Sequence, residues 1–170
     1  MKFTKVKHSI LKKQFKKALR KDEKCRVVSQ KEIYSVGILT TEDIASKMEI
    51  QHPIETILGL RNSKMYAFRK EPTAEGISYK HFSEEDINWK GESVAPSFAS
   101  FLEQPFDLLI GFYATNNLYL ETATLQSKAT FKAGFSNVNP SLFEIEISEN
   151  IANITGFCEE LKKYLVLLKK

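Results

Sequence analysis

The strongest chemical signal in this sequence is a set of cations, Lys2, Lys5, Lys12, Lys13, Lys16, Lys17 and Arg20, spaced to form one surface. Between Phe3 and Leu19 the apolar residues Phe3, Val6, Ile10, Leu11, Phe15, Ala18 and Leu19 recur at intervals dominated by three, four and seven, which is helical periodicity. At about 100° per residue Lys2, Lys5, Lys12, Lys13, Lys16 and Arg20 gather opposite that stripe, with Lys7, Lys17 and Lys21 at its flanks. Residues 1–24 hold ten Lys and Arg against Asp22 and Glu23, a net +8, whereas residues 25–170 carry a net −4. Two opposite electrostatic objects therefore share one chain. Lysine is a flexible point charge, so a face that is almost entirely lysine suits phosphate contact independent of base sequence. Three readings stay open for the helix: its apolar face packs on the rest of the chain and its lysines are merely solvated, it holds an RNA or DNA backbone, or it lies on an anionic membrane surface.

Other groups carry weaker signals. Thr40, Thr41, Asn116 and Asn117 fall in loops expected after two strands, where an α/β sheet collects its ligands, and could hold a phosphate or a sugar. Thr and Asn in front of a helix are also its natural caps. Glu84, Glu85 and Asp86 form the only tight acid cluster; after Ser83 they read as a capped turn rather than a metal site. Trp89, beside Ile87, reads as a core anchor, with a stacking platform as the alternative. Cys25 and Cys158 lie too far apart in sequence for a zinc or redox motif, and His8, His52 and His81 are scattered singly. The seven glycines make neither a dinucleotide fingerprint nor a phosphate-binding loop, and no catalytic nucleophile, metal set or cofactor site is legible.

The elements that must position these residues follow from hydrophobic pattern. Ile33–Leu39 reads as a strand running into a capped helix that Pro53 should end or follow with a second short helix through Leu58, with Gly59 as the stop. Lys64–Arg69 and Ile77–Phe82 read as further strands. Phe106–Phe112 is a continuous apolar run suited to a central strand, followed by a helix over Asn116–Ser127. Thr130–Phe135 and Leu142–Ile147 complete the strands; Glu144 and Glu146 alternate with Phe143, Ile145 and Ile147, so the last should lie at an edge. Ser148 is expected to cap a final helix whose Ile151, Ile154, Phe157, Cys158, Leu161, Leu165 and Leu168 face the sheet, with Asn153 exposed within it. The expected architecture is a single Rossmann-like, three-layer α/β domain over residues 25–170 with a mostly parallel sheet of about five or six strands. Residues 1–24 precede it as a basic amphipathic helix.

The segment Phe82-Ser83-x-x-Asp86-x-Asn88-Trp89-x-Gly91, with the lysine-rich start, Val36–Leu39 and Phe106–Ile110, resembles a family of uncharacterised small bacterial proteins across nearly the whole chain. That resemblance implies no activity. Phe106–Ile110 followed by Leu125–Phe135 is similar to the amino-terminal half of heptosyltransferase-type glycosyltransferases, over about 30 residues. It implies an ancestral fold rather than sugar transfer, because Gly111 stands where those enzymes commonly keep an Asp.

The lack of an apolar run of about 18 residues excludes a membrane-spanning helix, and lysines interrupt what would be the apolar part of a signal peptide. The expectation is a cytoplasmic binding or adaptor protein, leaning away from an enzyme, whose helix contacts structured or ribosomal RNA. An anionic membrane surface, with a location peripheral to the inner membrane, is the alternative. A degenerate sugar- or nucleotide-binding enzyme is the third reading, and the α/β body is free to dock a protein partner.

Overall fold

A computed structural model describes residues 2–25, 32–70, 80–139 and 141–168, the side chains of 2–4, 22–25 and 168 excepted. Lys2, Cys25 and the first part of the expected Ile77–Phe82 strand therefore lie outside the described side chains or residues. In chain order the elements are α1 (Lys2–Cys25), β1 (Val36–Thr41), α2 (Glu42–Lys47), α3 (Gln51–Leu58), β2 (Lys64–Arg69), β3 (Lys80–Ser83), α4 (Pro96–Glu103), β4 (Leu108–Phe112), α5 (Leu118–Gln126), β5 (Phe131–Phe135), β6 (Ile145–Ile147) and α6 (Ile154–Leu168). The six strands form one sheet of order β3-β2-β1-β4-β5-β6. Every pairing is parallel.

Residue parity along the strands assigns the layers, because neighbouring side chains point to opposite faces. Tyr66 packs on Phe98 and Phe101 of α4, and Phe68, two residues on, stacks on Tyr119 of α5. Phe112 meets Phe157 of α6, while adjacent Tyr113 bonds Thr124 of α5 at 2.8 Å. Helices α4 and α5 thus cover one face, and α6 covers the other together with α3. As the apolar run implied, β4 is buried at all five positions. The alternating β6 occupies an edge and pairs only with β5.

The strands begin or end within a few residues of the expected limits, and the turns explain the differences. Asp107, expected in β4, instead accepts hydrogen bonds from the Tyr34 and Ser35 backbone N–H groups at 2.9 and 3.1 Å. It clasps the entry to β1 against the entry to β4. Ser148 does not cap α6; its hydroxyl meets that of Ser136 at 2.8 Å, and Asn153 accepts from the Gly156 N–H at 3.1 Å. The α6 start is therefore six residues beyond the expected cap. Pro53 is tolerated in the first turn of α3, and Gly59 ends that helix at φ 69°.

Gly111 and Gly134 are paired neighbours on β4 and β5, and the Phe143 ring lies over both. A Cβ at Gly111 would stand 2.9 Å from that ring, and one at Gly134 would meet it more closely still. The absence of an Asp at 111 thus has a packing cause: the two glycines form the seat for an aromatic ring. We predict that Gly134→Ala destabilises the protein by about 1–3 kcal/mol. Adding Phe143→Leu should recover part of that loss in a double-mutant cycle read by chemical denaturation; strict additivity would refute the seat.

Candidate functional site: the basic helix and its cleft

The face of α1 that turns inward is the apolar stripe. Leu11 is fully buried and Phe15 is 7% exposed, with Ile10, Ala18 and Leu19 half-buried beside them. Their partner is α5, all of whose residues from Tyr119 to Thr124 are buried. A helix without a polar face must be covered on both sides, and α5 has the sheet on one and α1 on the other. Gly91 completes the contact. At φ 85° its turn brings the chain onto Thr122 and Leu11, where a Cβ would lie 3.3 and 3.5 Å from their side chains. Lys7, at the margin of the stripe, donates from Nζ to the Glu84 carbonyl at 3.0 Å.

The outward face is cationic. Lys5, Lys12, Lys13, Lys16, Lys17 and Arg20 are all exposed, and among the described residues none of them is ion-paired. Their charge is thus available to a partner, on a helix whose azimuth is locked by Leu11 and Phe15. Among the described side chains of α1, the large apolar residue left in the open is Val6, 49% exposed.

Between α1 and the carboxyl ends of β4 and β5 lies a cleft of about 470 Å³. From α1 it is lined by His8, Lys12, Phe15, Lys16 and Leu19, and from the opposite wall by Asn116, Leu118, Glu121 and Asn139. The residues on α1 recur at four, seven, eight and eleven, so they form one edge of the helix between the buried stripe and the lysine face. Phe15, Leu19 and Leu118 make an apolar lining. Lys12 and Lys16, one turn apart, are its exposed cations. Glu121 is the buried acid, 6% exposed, and accepts from the Asn117 N–H at 3.0 Å. Burial pushes its carboxyl up, opposed by that N–H and by the Asn139 amide.

Of the four expected loop ligands, one lines this cleft. Asn116 does; Asn117 instead caps α5, accepting from the Tyr119 and Leu120 N–H groups, both at 3.1 Å. Thr41 caps α2, accepting from Ile44 N–H at 3.1 Å. Thr40 is fully buried and donates to the Phe112 carbonyl at 2.7 Å, tying β1 to β4 where the strand order reverses. The acid cluster is a single helical turn, Glu84–Asp86, whose Asp86 carboxylate accepts from Ser83 N–H at 2.8 Å. No group of three metal-ligating side chains occurs among the described residues. Trp89 is not a core anchor: it is 41% exposed, and the core position of that segment belongs to Ile87. Burial raises the Cys158 thiol to about 12, an inert core group. Burial, with the Glu84 carboxylate beside it, likewise pushes up the Tyr119 phenol, whose hydroxyl makes no hydrogen bond of good geometry.

His8, Glu121 and Asn139 were not anticipated as neighbours. The spacing of His8, Lys12, Lys16 and Leu19 along one helix edge was a readable signal; nothing local marks Asn139. A second cavity, of about 330 Å³, lies at the amino ends of β2 and β3. Its cations are already engaged, Lys64 with Gln104 at 2.9 Å and Lys80 over the Tyr66 ring.

Residues 7–168 match the model of a family of unknown function, DUF6913. The chain belongs to that family. Its span takes in the basic helix from Lys7 as well as the whole sheet, so helix and sheet form one family unit. No curated protein and no solved structure matches the chain significantly.

Two outcomes follow from this geometry. Leu11→Ala should cost about 2–5 kcal/mol in denaturant unfolding, as for a buried core leucine, because α1 is part of the packed body; a loss near zero would mean a loosely attached arm. The folded state holds the Glu121 proton more tightly than the unfolded chain does. Its contribution to stability therefore falls as pH rises from the ordinary 4.5 through the raised folded value. Glu121→Gln should accordingly gain stability relative to the native protein at pH 7.5, and that gain should shrink towards pH 4.5; a pH-independent difference would contradict it.

Proposed function

We propose that this protein is an RNA-binding adaptor that holds a phosphate backbone on the lysine face of α1. The observation that carries this reading is the division of labour on the helix. Leu11 and Phe15 are spent on the core, while Lys5, Lys12, Lys13, Lys16, Lys17 and Arg20 stand exposed and without acidic partners among the described residues. A rigidly oriented row of cations neutralises phosphates and releases their counterions, which gives affinity without reading bases. The −4 balance of residues 25–170 keeps that attraction confined to one surface.

The same burial counts against the lipid reading. An interfacial helix must insert its apolar face into the headgroup boundary, and here Leu11 and Phe15, the centre of that face, are already buried against the body. Among the described side chains of α1, Val6 is the large apolar one left exposed, and it offers little area to a bilayer. No helix of the described residues is long and apolar enough to cross a membrane. Liposome flotation with Leu11→Glu would test folding rather than lipid contact, so the informative substitutions are on the cationic side.

The test is the salt dependence of RNA binding by fluorescence anisotropy. Replacing Lys12, Lys13, Lys16 and Lys17 together by Gln should weaken binding and reduce the slope of log K against log salt by about 3. Failure to bind RNA at low salt, or an unchanged slope, would overturn the proposal. So would binding to anionic vesicles by a protein that ignores RNA.

A further inference from the structure

We infer that the cleft between α1 and the carboxyl ends of β4 and β5 takes one unpaired nucleotide of the bound RNA, its base inside and its phosphate on Lys12 and Lys16. This rests on the phosphate-binding reading of α1 and adds what that face alone lacks, a preference for single-stranded segments.

The cleft's chemistry asks for a ligand with two unlike ends. Leu19 and Leu118, with the one edge of Phe15 that the cleft reaches, offer apolar surface for a flat ring, and His8 adds an exposed imidazole at the same edge. Asn116, exposed at the mouth, supplies an amide donor and acceptor suited to a base edge, while Asn139, its oxygen held by the Ser141 N–H at 3.1 Å and its amide directed at Glu121, fixes the opposite wall. Phosphate or sulfate alone would gain from Lys12 and Lys16 but would be repelled by the Glu121 carboxylate once drawn inside. A purely apolar ligand would waste both lysines. A nucleotide satisfies both parts, since its neutral base can turn towards the carboxylate while the phosphate stays at the cations.

Size and position agree. A volume of about 470 Å³ falls within the range of small-molecule clefts, of which a mononucleotide is a typical occupant. Asn116 follows β4 and Asn139 follows β5, so the cleft sits on the carboxyl side of a parallel sheet, beside the crevice that Thr40 closes. A paired base cannot enter a recess of this kind without leaving its stack, which costs a few kcal/mol. Lys5, Lys13, Lys17 and Arg20 continue past the cleft on α1, so a strand with one base inserted can still run along the remaining cations.

The experiment compares the full chain's affinity for a single-stranded RNA and for a blunt duplex of equal length at the same salt. We expect the single strand to bind about tenfold tighter, a preference worth about 1.4 kcal/mol. Asn116→Ala should erase most of that preference while leaving duplex affinity unchanged. Lys13→Gln, away from the cleft, should weaken both substrates alike. Asn116 is exposed, so its variant tests the cleft without risk to the fold. Equal affinity for strand and duplex, with binding that still needs the lysines, overturns the cleft assignment and leaves the backbone reading intact; absence of RNA binding overturns both. A thermal-shift arm with adenosine monophosphate separates the sources of the ligand. Stabilisation that Asn116→Ala abolishes, without any strand preference, would give the cleft to a free nucleotide and overturn the RNA assignment.

Discussion

Everything distinctive about this molecule depends on the packing of α1 against α5 through Leu11 and Phe15. Burying a side chain of that kind contributes about 1.5–3 kcal/mol, enough to hold one helix orientation against the alternatives. That single contact sets three things at once. It covers the outer side of α5, whose residues would otherwise face water with no charged surface to offer beyond Glu121. It turns the lysines outward as an ordered row. It also raises the far wall of the cleft, which without α1 would be an open loop surface around Asn116.

The sheet supplies the complementary constraint. An all-parallel sheet needs cover on both faces, and its order places the reversal between β1 and β4. In many folds of this plan the crevice at the reversal is a ligand site. Here the Thr40 hydroxyl bonds the Phe112 carbonyl across it, and Thr41 and Asn117 are spent on helix caps. Space appears instead over β4 and β5, where Gly111 and Gly134 admit Phe143 and let the connection after β5 fold inward. Asn137 ties that connection to the Ala114 carbonyl at 2.8 Å, so the two loops of the cleft wall are joined directly.

Much of the fold was legible because it rests on local signals. The continuous apolar run of β4, the alternation of β6, the stop at Gly59 and the stripe on α1 all follow from periodicity and backbone preference, which neighbouring residues express by themselves. The misplaced cap of α6 shows the limit of such signals. Ser148 and Asn153 are both good cap residues, and the choice between them was made by the distant Ser136, which engages Ser148 across 12 positions. Trp89 shows the same limit: its size predicted burial, but in its turn Ile87 takes the inward position and leaves the indole outside.

By itself, then, the sequence determined that this chain is an α/β domain with opposite charges on its two parts, because composition and spacing are properties of the chain alone. It also determined which residues of α1 were apolar and which cationic. Tertiary structure decided what those faces mean. Whether Leu11 and Phe15 meet a bilayer, a partner or their own domain depends on the surface α5 presents, more than 100 residues away in the chain. The cleft is likewise invisible in one dimension, since His8, Lys12, Asn116, Glu121 and Asn139 come together only when the sheet and the α1–α5 contact close. Local preferences select elements; long-range burial selects which of their surfaces remain for function.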